Sequence, residues 1–295
     1  MKQVGYFLLF IICTSCSFNK VFLVPDKLDN HQKEFKTAYN KSSDTLVIAD
    51  ATNFQPYFIN TENKKIDYPY TIESMVFDSK SGNQLNAWMI TNDSVYNGRN
   101  IIFFHGNAGN IVSQHKMMLP FVKNGYKVYV VDYSGFGFST GKATRKNVLM
   151  DGNSAIQHFK SLDTDAKHQW IIYGQSLGGH LTPVVALANE NLIDGIVVEG
   201  AFTSHHDIGA NSAGFIARLL IAEKYSAQKA IKQFKKPVLI IHSTKDEIIP
   251  YRMGEKLFEV ANEPKQFYQV EKCHICGPIY YSENILKKMD VLLGK

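Results

Sequence analysis

The spacing of apolar and polar positions changes character twice along this chain of 295 residues. Residues 4–12 are an almost unbroken apolar run, residues 17–68 hold isolated apolar clusters with no sustained period, and from Tyr70 onward short apolar runs recur regularly. Segments 70–77 and 84–90 are rich in β-forming residues and flank Ser79-Lys80-Ser81-Gly82-Asn83, which predicts a hairpin. Continuous apolar runs at 101–104, 128–131, 170–173, 195–198, 238–241 and 267–270 then predict buried strands. Between and after them, helical patterns lie near 111–124, 145–160, 177–189, 252–261 and 283–293. Strands that are apolar throughout and joined by helices predict an α/β fold, a mostly parallel central sheet with helices on both faces. Right-handed crossovers place the loops that follow the strands at one edge, which is where ligands of such sheets bind. The residues directly after each strand therefore carry the functional information. Room for a cap exists only at about 203–236, so any cap is short; its apolar helical run at 215–221 reads rather as a small helix packed on the core.

The apolar start reads as an address. Lys2 precedes the run and Cys13-Thr14-Ser15-Cys16-Ser17 follows it, a secretory signal peptide over residues 1–15. It is too short to span a bilayer, which takes about 20 apolar residues. Thr14 and Ser15 directly before Cys16 resemble a bacterial lipoprotein box, in which the cysteine is diacylated and becomes the mature N-terminus. Cys13 departs from that pattern, which prefers Leu; a signal peptide cut elsewhere and an uncleaved anchor are the alternatives. On the lipoprotein reading the chain crosses the inner membrane and stays lipid-anchored as a periplasmic or outer-membrane protein. Residues 16–69 are then a tether and N-terminal extension with short elements packed on a domain at 70–295.

Composition narrows the class without naming it. With 45% hydrophobic, 12% aromatic and 20% charged residues, the chain is neither disordered nor collagen-like, and four cysteines make no disulfide framework. The formal charge of +5, one less once Lys2 leaves with the signal peptide, is spread among acids and forms no basic stripe for nucleic acid. Gly135-x-Gly137 is followed by Gly141, so the dinucleotide fingerprint G-x-G-x-x-G is not met, and no cofactor or metal is implied.

The loops after the strands are more specific. The strand at 170–173 runs into Gly174-Gln175-Ser176-Leu177-Gly178-Gly179, a G-x-S-x-G match between strand and helix. Such a turn holds Ser176 in a strained conformation at the sheet edge, and glycines at 174 and 178 remove side chains that would collide with it. Pro183 inside the following helix has no functional reading. A serine needs a base to take its proton and a carboxylate to hold that base in the right tautomer. In chain order the acid and then the histidine follow. Of ten histidines only His274 lies beyond the last plausible acid loop. The acid is Asp246 in His242-Ser243-Thr244-Lys245-Asp246-Glu247, with Glu247 in reserve. Oxyanion donors are expected from the N–H of Leu177 and from the small-residue loop His105-Gly106-Asn107-Ala108-Gly109-Asn110, where Asn107 is the choice. His105 reads as structural, bonding within that loop, and His205-His206 as surface residues or substrate contacts.

Together with Asp132-Tyr133-Ser134-Gly135-Phe136-Gly137-Phe138-Ser139-Thr140-Gly141, these motifs resemble the α/β-hydrolase superfamily over about residues 70–293. Within it the chain is similar to small serine hydrolases that include depalmitoylases and lipase-like esterases. The resemblance implies cleavage of ester or thioester bonds through an acyl-enzyme on a small-molecule or acylated substrate, with an amidase or peptidase, or a catalytically silent surface lipoprotein, as rivals. Two positions depart from the family. Ser134 stands where Arg is common, so a structural ion pair is expected to be absent, and Cys273-His274-Ile275-Cys276 replaces the usual Gly before the histidine. Cys273 and Cys276 form a disulfide bracing the base, or remain two thiols, or join a zinc site that would consume His274.

Overall fold

The computed structural model describes residues 22–39 and 42–294. Its centre is an eight-stranded sheet. The expected hairpin is β4 (Thr71–Asp78) with β5 (Gln84–Thr91); β6 (Arg99–Phe104), β7 (Tyr126–Val131), β8 (Gln169–Gln175), β9 (Gly195–Glu199), β10 (Val238–Ser243) and β11 (Lys265–Val270) complete it. The strand order is β11-β10-β9-β8-β6-β7-β5-β4. Strands β6 to β11 pair in parallel, and the hairpin joins antiparallel through β5 and β7. The mostly parallel α/β architecture expected from the apolar runs is the one observed.

Alternation along each strand feeds two cores. Strand β6 sends Ile102 and Phe104 to one face and Ile101 and Phe103 to the other, and β7 divides Tyr129 and Val131 from Val128 and Val130 in the same way. Each such side chain, buried on one face or the other, stabilises the fold by about 1.5–3 kcal/mol. On the first face lie Val148, Ile156 and Phe159 of the helix Arg145–Leu162, and Leu181 and Val185 of the helix Leu177–Ala188. On the second lie Ile285 and Met289 of the helix Ser282–Leu292 and the helical segment that follows β6.

The second face also holds a finding that the aperiodic N-terminal region did not announce. Strands β1 (Glu34–Tyr39), β2 (Ser42–Ile48) and β3 (Pro56–Ile59) form a separate antiparallel sheet. Its Phe35, Leu46 and Phe58 share the core with Trp88, Ile90 and Phe103, and Phe54 stacks on Phe138 with ring centroids 4.3 Å apart. The extension thus closes one face of the main sheet. Residues 1–15 and Cys16, with the signal peptide and lipidation expectations, lie outside the described residues.

One local expectation is corrected. The helix read over 111–124 is broken into Ile111–Gln114, a 3-10 turn at His115–Met118 and Leu119–Lys123. Pro120 has no N–H to donate and is tolerated only in a first turn, so the chain restarts its helix one residue before it. In the cap region, the helix His205–Leu220 is followed by Ala227–Ile231, and Tyr225, Ala227, Ile231 and Phe234 are buried in the first core. The second half of that segment thus packs on the core. Among the described residues, no helix is long and apolar enough to cross a membrane.

Candidate active site

Strand β8 passes into the helix Leu177–Ala188 through the single residue Ser176, at φ 53° and ψ −111°. A non-glycine residue there is strained by about 1–3 kcal/mol and persists only where its surroundings hold it. They do so through the main chain: Ser176 N–H donates to the Glu199 carbonyl at 2.9 Å, and His180 N–H donates to the Ser176 carbonyl at 2.9 Å. A Cβ at position 178 would lie 2.0 Å from the Phe104 carbonyl oxygen, so only glycine lets β6 and the turn approach this closely. Pro183 lies buried inside the helix, and nothing in the structure gives it a role.

Three loops meet at Ser176. Its Oγ lies 2.9 Å from His274 Nε2, while His274 Nδ1 lies 2.5 Å from Asp246 Oδ2. The structure thus brings together the serine, histidine and aspartate picked from motif and chain order, and Glu247 takes no part in these bonds. Both partners of His274 are 98 and 28 residues away in sequence. Asp246 is further held by N–H donors from Ile248 and Ile249 to Oδ1 at 2.9 and 2.8 Å, and His242 Nε2 lies 3.3 Å from its Oδ2. Burial pushes the Asp246 carboxyl up, but the bonds from His242 and His274 outweigh it and hold the group well below the usual carboxylate range. It is therefore an anion at any pH where His274 could act as a base.

The loop after β6 closes over the serine. A Cβ on Gly106 would sit 3.5 Å from Ser176 Cβ, which places the backbone of 106–108 beside the nucleophile. The Leu177 N–H opens its helix, where N–H groups have no partner within the helix. His105 is buried and bonds within the loop as expected, Nδ1 to the Gly106 carbonyl at 2.8 Å, with Nε2 3.2 Å from Asp132 Oδ1. Asn107 has its side chain engaged: Oδ1 accepts the Val24 N–H at 2.8 Å. The side-chain oxygen is thus taken, and the backbone N–H is the donor that the loop would turn toward an oxyanion.

Several partners were not legible in sequence. Residues 22–28 run beside this loop, with Leu28 N–H donating to Gly137 O, Gly137 N–H to Asp26 O, and Asn110 Nδ2 to Asp26 Oδ2 at 2.9 Å. Glu199, buried at the end of β9, accepts from Tyr173 OH at 2.7 Å, Gln175 Nε2 at 2.8 Å and Gly277 N–H at 2.7 Å. The one available signal was an acid closing an apolar strand. The sulfurs of Cys273 and Cys276 are joined in a disulfide around His274, with Cα atoms 5.7 Å apart. At Ser134, hydrogen bonds stand where an ion pair is common: its Oγ accepts from Asn83 Nδ2 at 2.9 Å and its N–H donates to Asp151 at 2.8 Å.

His205 corrects a surface reading. It is fully buried, its Nδ1 donating to Glu223 Oε1 at 3.0 Å and to the Tyr225 carbonyl at 3.2 Å, while His206 Nε2 donates to Ile221 O at 2.7 Å. Among the described residues, ligand-type atoms of His180, His205 and Glu223 come within 4.8 Å of one another. The histidine N–H groups already serve Glu223 and the carbonyls of Phe202 and Tyr225, and the bonds from His205 hold the Glu223 carboxyl down against its burial. The cluster reads as a latch between the cap segment and the nucleophile's helix.

A family model for the alpha/beta hydrolase fold matches residues 99–220. The uncharacterized protein YfhR of Salmonella typhi is 33% identical over 215 residues, covering 67% of this chain and 72% of that protein. Protein bem46 of Schizosaccharomyces pombe is 29% identical over 195 residues, covering 63% of this chain and 64% of its own. Among solved structures, esterase Pf2001 of Pyrococcus furiosus aligns with a TM-score of 0.64 at 17% identity, covering 76% of this chain and 92% of that one. Est1E from Butyrivibrio proteoclasticus aligns with a TM-score of 0.62 at 16% identity, covering 75% and 99%.

Proposed function

This chain belongs to the α/β-hydrolase family, and from that premise we propose that it is a serine hydrolase cleaving carboxylic ester or thioester bonds through an acyl-enzyme. The observation that carries the reading is the unbroken relay from Ser176 Oγ through His274 to Asp246, at 2.9 and 2.5 Å. Ser176 Oγ attacks the acyl carbonyl as His274 Nε2 takes its proton, and Asp246 stabilises the imidazolium that forms. The carbonyl oxygen becomes an anion received by the N–H groups of Leu177 and Asn107, each donor contributing about 2.7–4 kcal/mol to the barrier reduction. His274 then protonates the departing alcohol or thiol. Water, deprotonated by the same imidazole, releases the acid and restores Ser176.

We place the acyl group in a cleft of about 540 Å³ walled by Leu23, Val24, Pro25 and Ala143 with Lys27 and Lys142 among its other residues, because Val24 is bonded to Asn107 of the oxyanion loop. An apolar wall beside the oxyanion loop favours a bulky acyl chain over acetate. If Cys16 carries the lipid, Val24 lies eight positions on, a span of at most about 28 Å, which keeps the cleft close to the membrane surface.

A fluorophosphonate probe tests the chemistry: the folded wild type becomes labelled and Ser176→Ala does not. Absence of labelling on the folded wild type refutes the reading. A series of p-nitrophenyl acyl esters reports the chain-length preference. Retention of Cys16→Ser in the membrane fraction to the same extent as wild type would overturn the anchor.

A further inference from the structure

Glu199 is a buried acid for which the reaction above has no use. Its main chain holds the nucleophile, since its carbonyl accepts the Ser176 N–H, and its side chain holds the loop of the base, since Oε1 accepts the Gly277 N–H at 2.7 Å. Gln175, adjacent to Ser176, doubles the link: its Nε2 donates to Glu199 Oε2 at 2.8 Å and to the Ile275 carbonyl at 3.0 Å. The next residue, Gly200, approaches the imidazole so closely that a Cβ there would lie 3.1 Å from His274 Cε1. Glu199 and Gln175 together thus tie the elbow to the histidine loop.

We propose that Glu199 is a positioning residue for the hydrolysis assigned to Ser176. Its carboxylate locks the loop 272–277 onto the nucleophile elbow and adds a second negative charge, after Asp246, toward the imidazolium of His274. The proposal rests on that reading of the site. Gln175 Nε2 and Gly277 N–H can only donate, so Oε2 and Oε1 both accept, and Tyr173 OH on Oε2 is free to donate to the carboxylate. Burial pushes the carboxyl above its ordinary value; the bonds from Gln175, Tyr173 and Gly277 and the His274 charge oppose this without cancelling it. An uncompensated buried anion would be costly, and a site that keeps one with three donors arranged around it uses it for geometry or for charge. The present geometry serves both.

Glu199→Gln separates them from a merely structural role. The amide keeps the size and one acceptor but loses the charge and sets an NH2 against the Gln175 donor. The expected result is a kcat 10- to 100-fold lower with KM changed less than threefold. With less negative charge nearby, the imidazolium gives up its proton more readily. The acid limb of the kcat/KM profile therefore moves to lower pH, by about one unit. An NMR titration of the His274 ring, which requires no turnover, should show its midpoint moving the same way. A wild-type kcat, or a lowered kcat with an unmoved profile and ring titration, overturns the proposal. Should the variant not fold, Tyr173→Phe removes one donor while keeping the ring, and a kcat equal to wild type would overturn it equally. If the wild type itself neither hydrolyses esters nor takes the fluorophosphonate while the ring titration still shifts, the hydrolase reading fails and the positioning of His274 by Glu199 stands.

Discussion

The N–H of Val24 donates to the Asn107 side chain at 2.8 Å across 83 residues of sequence. The segment around Val24 is thereby fastened to the loop proposed to receive the oxyanion, and the same segment lines the cleft proposed for the acyl group. Asn107→Ala deletes this acceptor while retaining the backbone N–H at 107. Long-chain esters should then show a KM several-fold higher, with kcat on a short-chain ester within about threefold of wild type, because uniform binding and not transition-state stabilisation is lost. Equal KM changes for short and long chains would argue against the cleft as the acyl site.

Ser176 is expected to trade stability for function. Ser176→Gly relieves the positive φ and should stabilise the protein by about 1 kcal/mol, raising Tm by roughly 2–4 °C. Ester hydrolysis should fall by at least about 10⁴-fold in the same variant. A lower Tm would show that the turn is not strained.

Asp246→Asn preserves shape and removes the anion that orients His274. A loss of about 10⁴-fold in kcat with little change in KM is expected from steady-state kinetics. A loss below about tenfold would move the acid's role elsewhere in the loop.

The Cys273–Cys276 disulfide encloses the base in a very short loop. Entropy of the unfolded chain gives such a crosslink only about 2 kcal/mol, so its larger effect should be on rate. Alkylation under denaturing, non-reducing conditions should leave both cysteines unmodified, and replacing both with Ser should lower kcat more than Tm. Two freely alkylated thiols in the native protein would refute the brace.

Stability should weaken in mild acid. Burial pushes His115 down to about 4 and His180 down to about 3, against 6.5 for each when exposed. A histidine that stays neutral when folded but charges when unfolded favours the unfolded chain as pH falls. The contribution is complete above pH 6.5 and is lost as pH drops toward 4 and 3, by up to about 1.4 kcal/mol per pH unit for each group. Tm should fall measurably between pH 7 and pH 5, and His180→Phe, which keeps a ring against Phe202, should flatten that dependence. A constant Tm over this range would contradict it.

Much of this protein was determined by the sequence by itself. The strands were legible because buried parallel strands are apolar on both faces, and the loops that matter were legible because the sheet topology places them at one edge. Ser176 stood out by its glycines, His274 and Asp246 by chain order, and all three follow from rules local to one strand and its loop. Only the tertiary structure decided the rest. Val24 against Asn107, His205 on Glu223, Glu199 beneath the His274 loop and the sheet β1–β3 over Trp88 each join elements that no local period connects. A side chain's neighbours in a packed interior are set by how the sheet twists and the layers stack, so an acid at a strand end and a histidine on a helix look like surface residues until the fold buries them together.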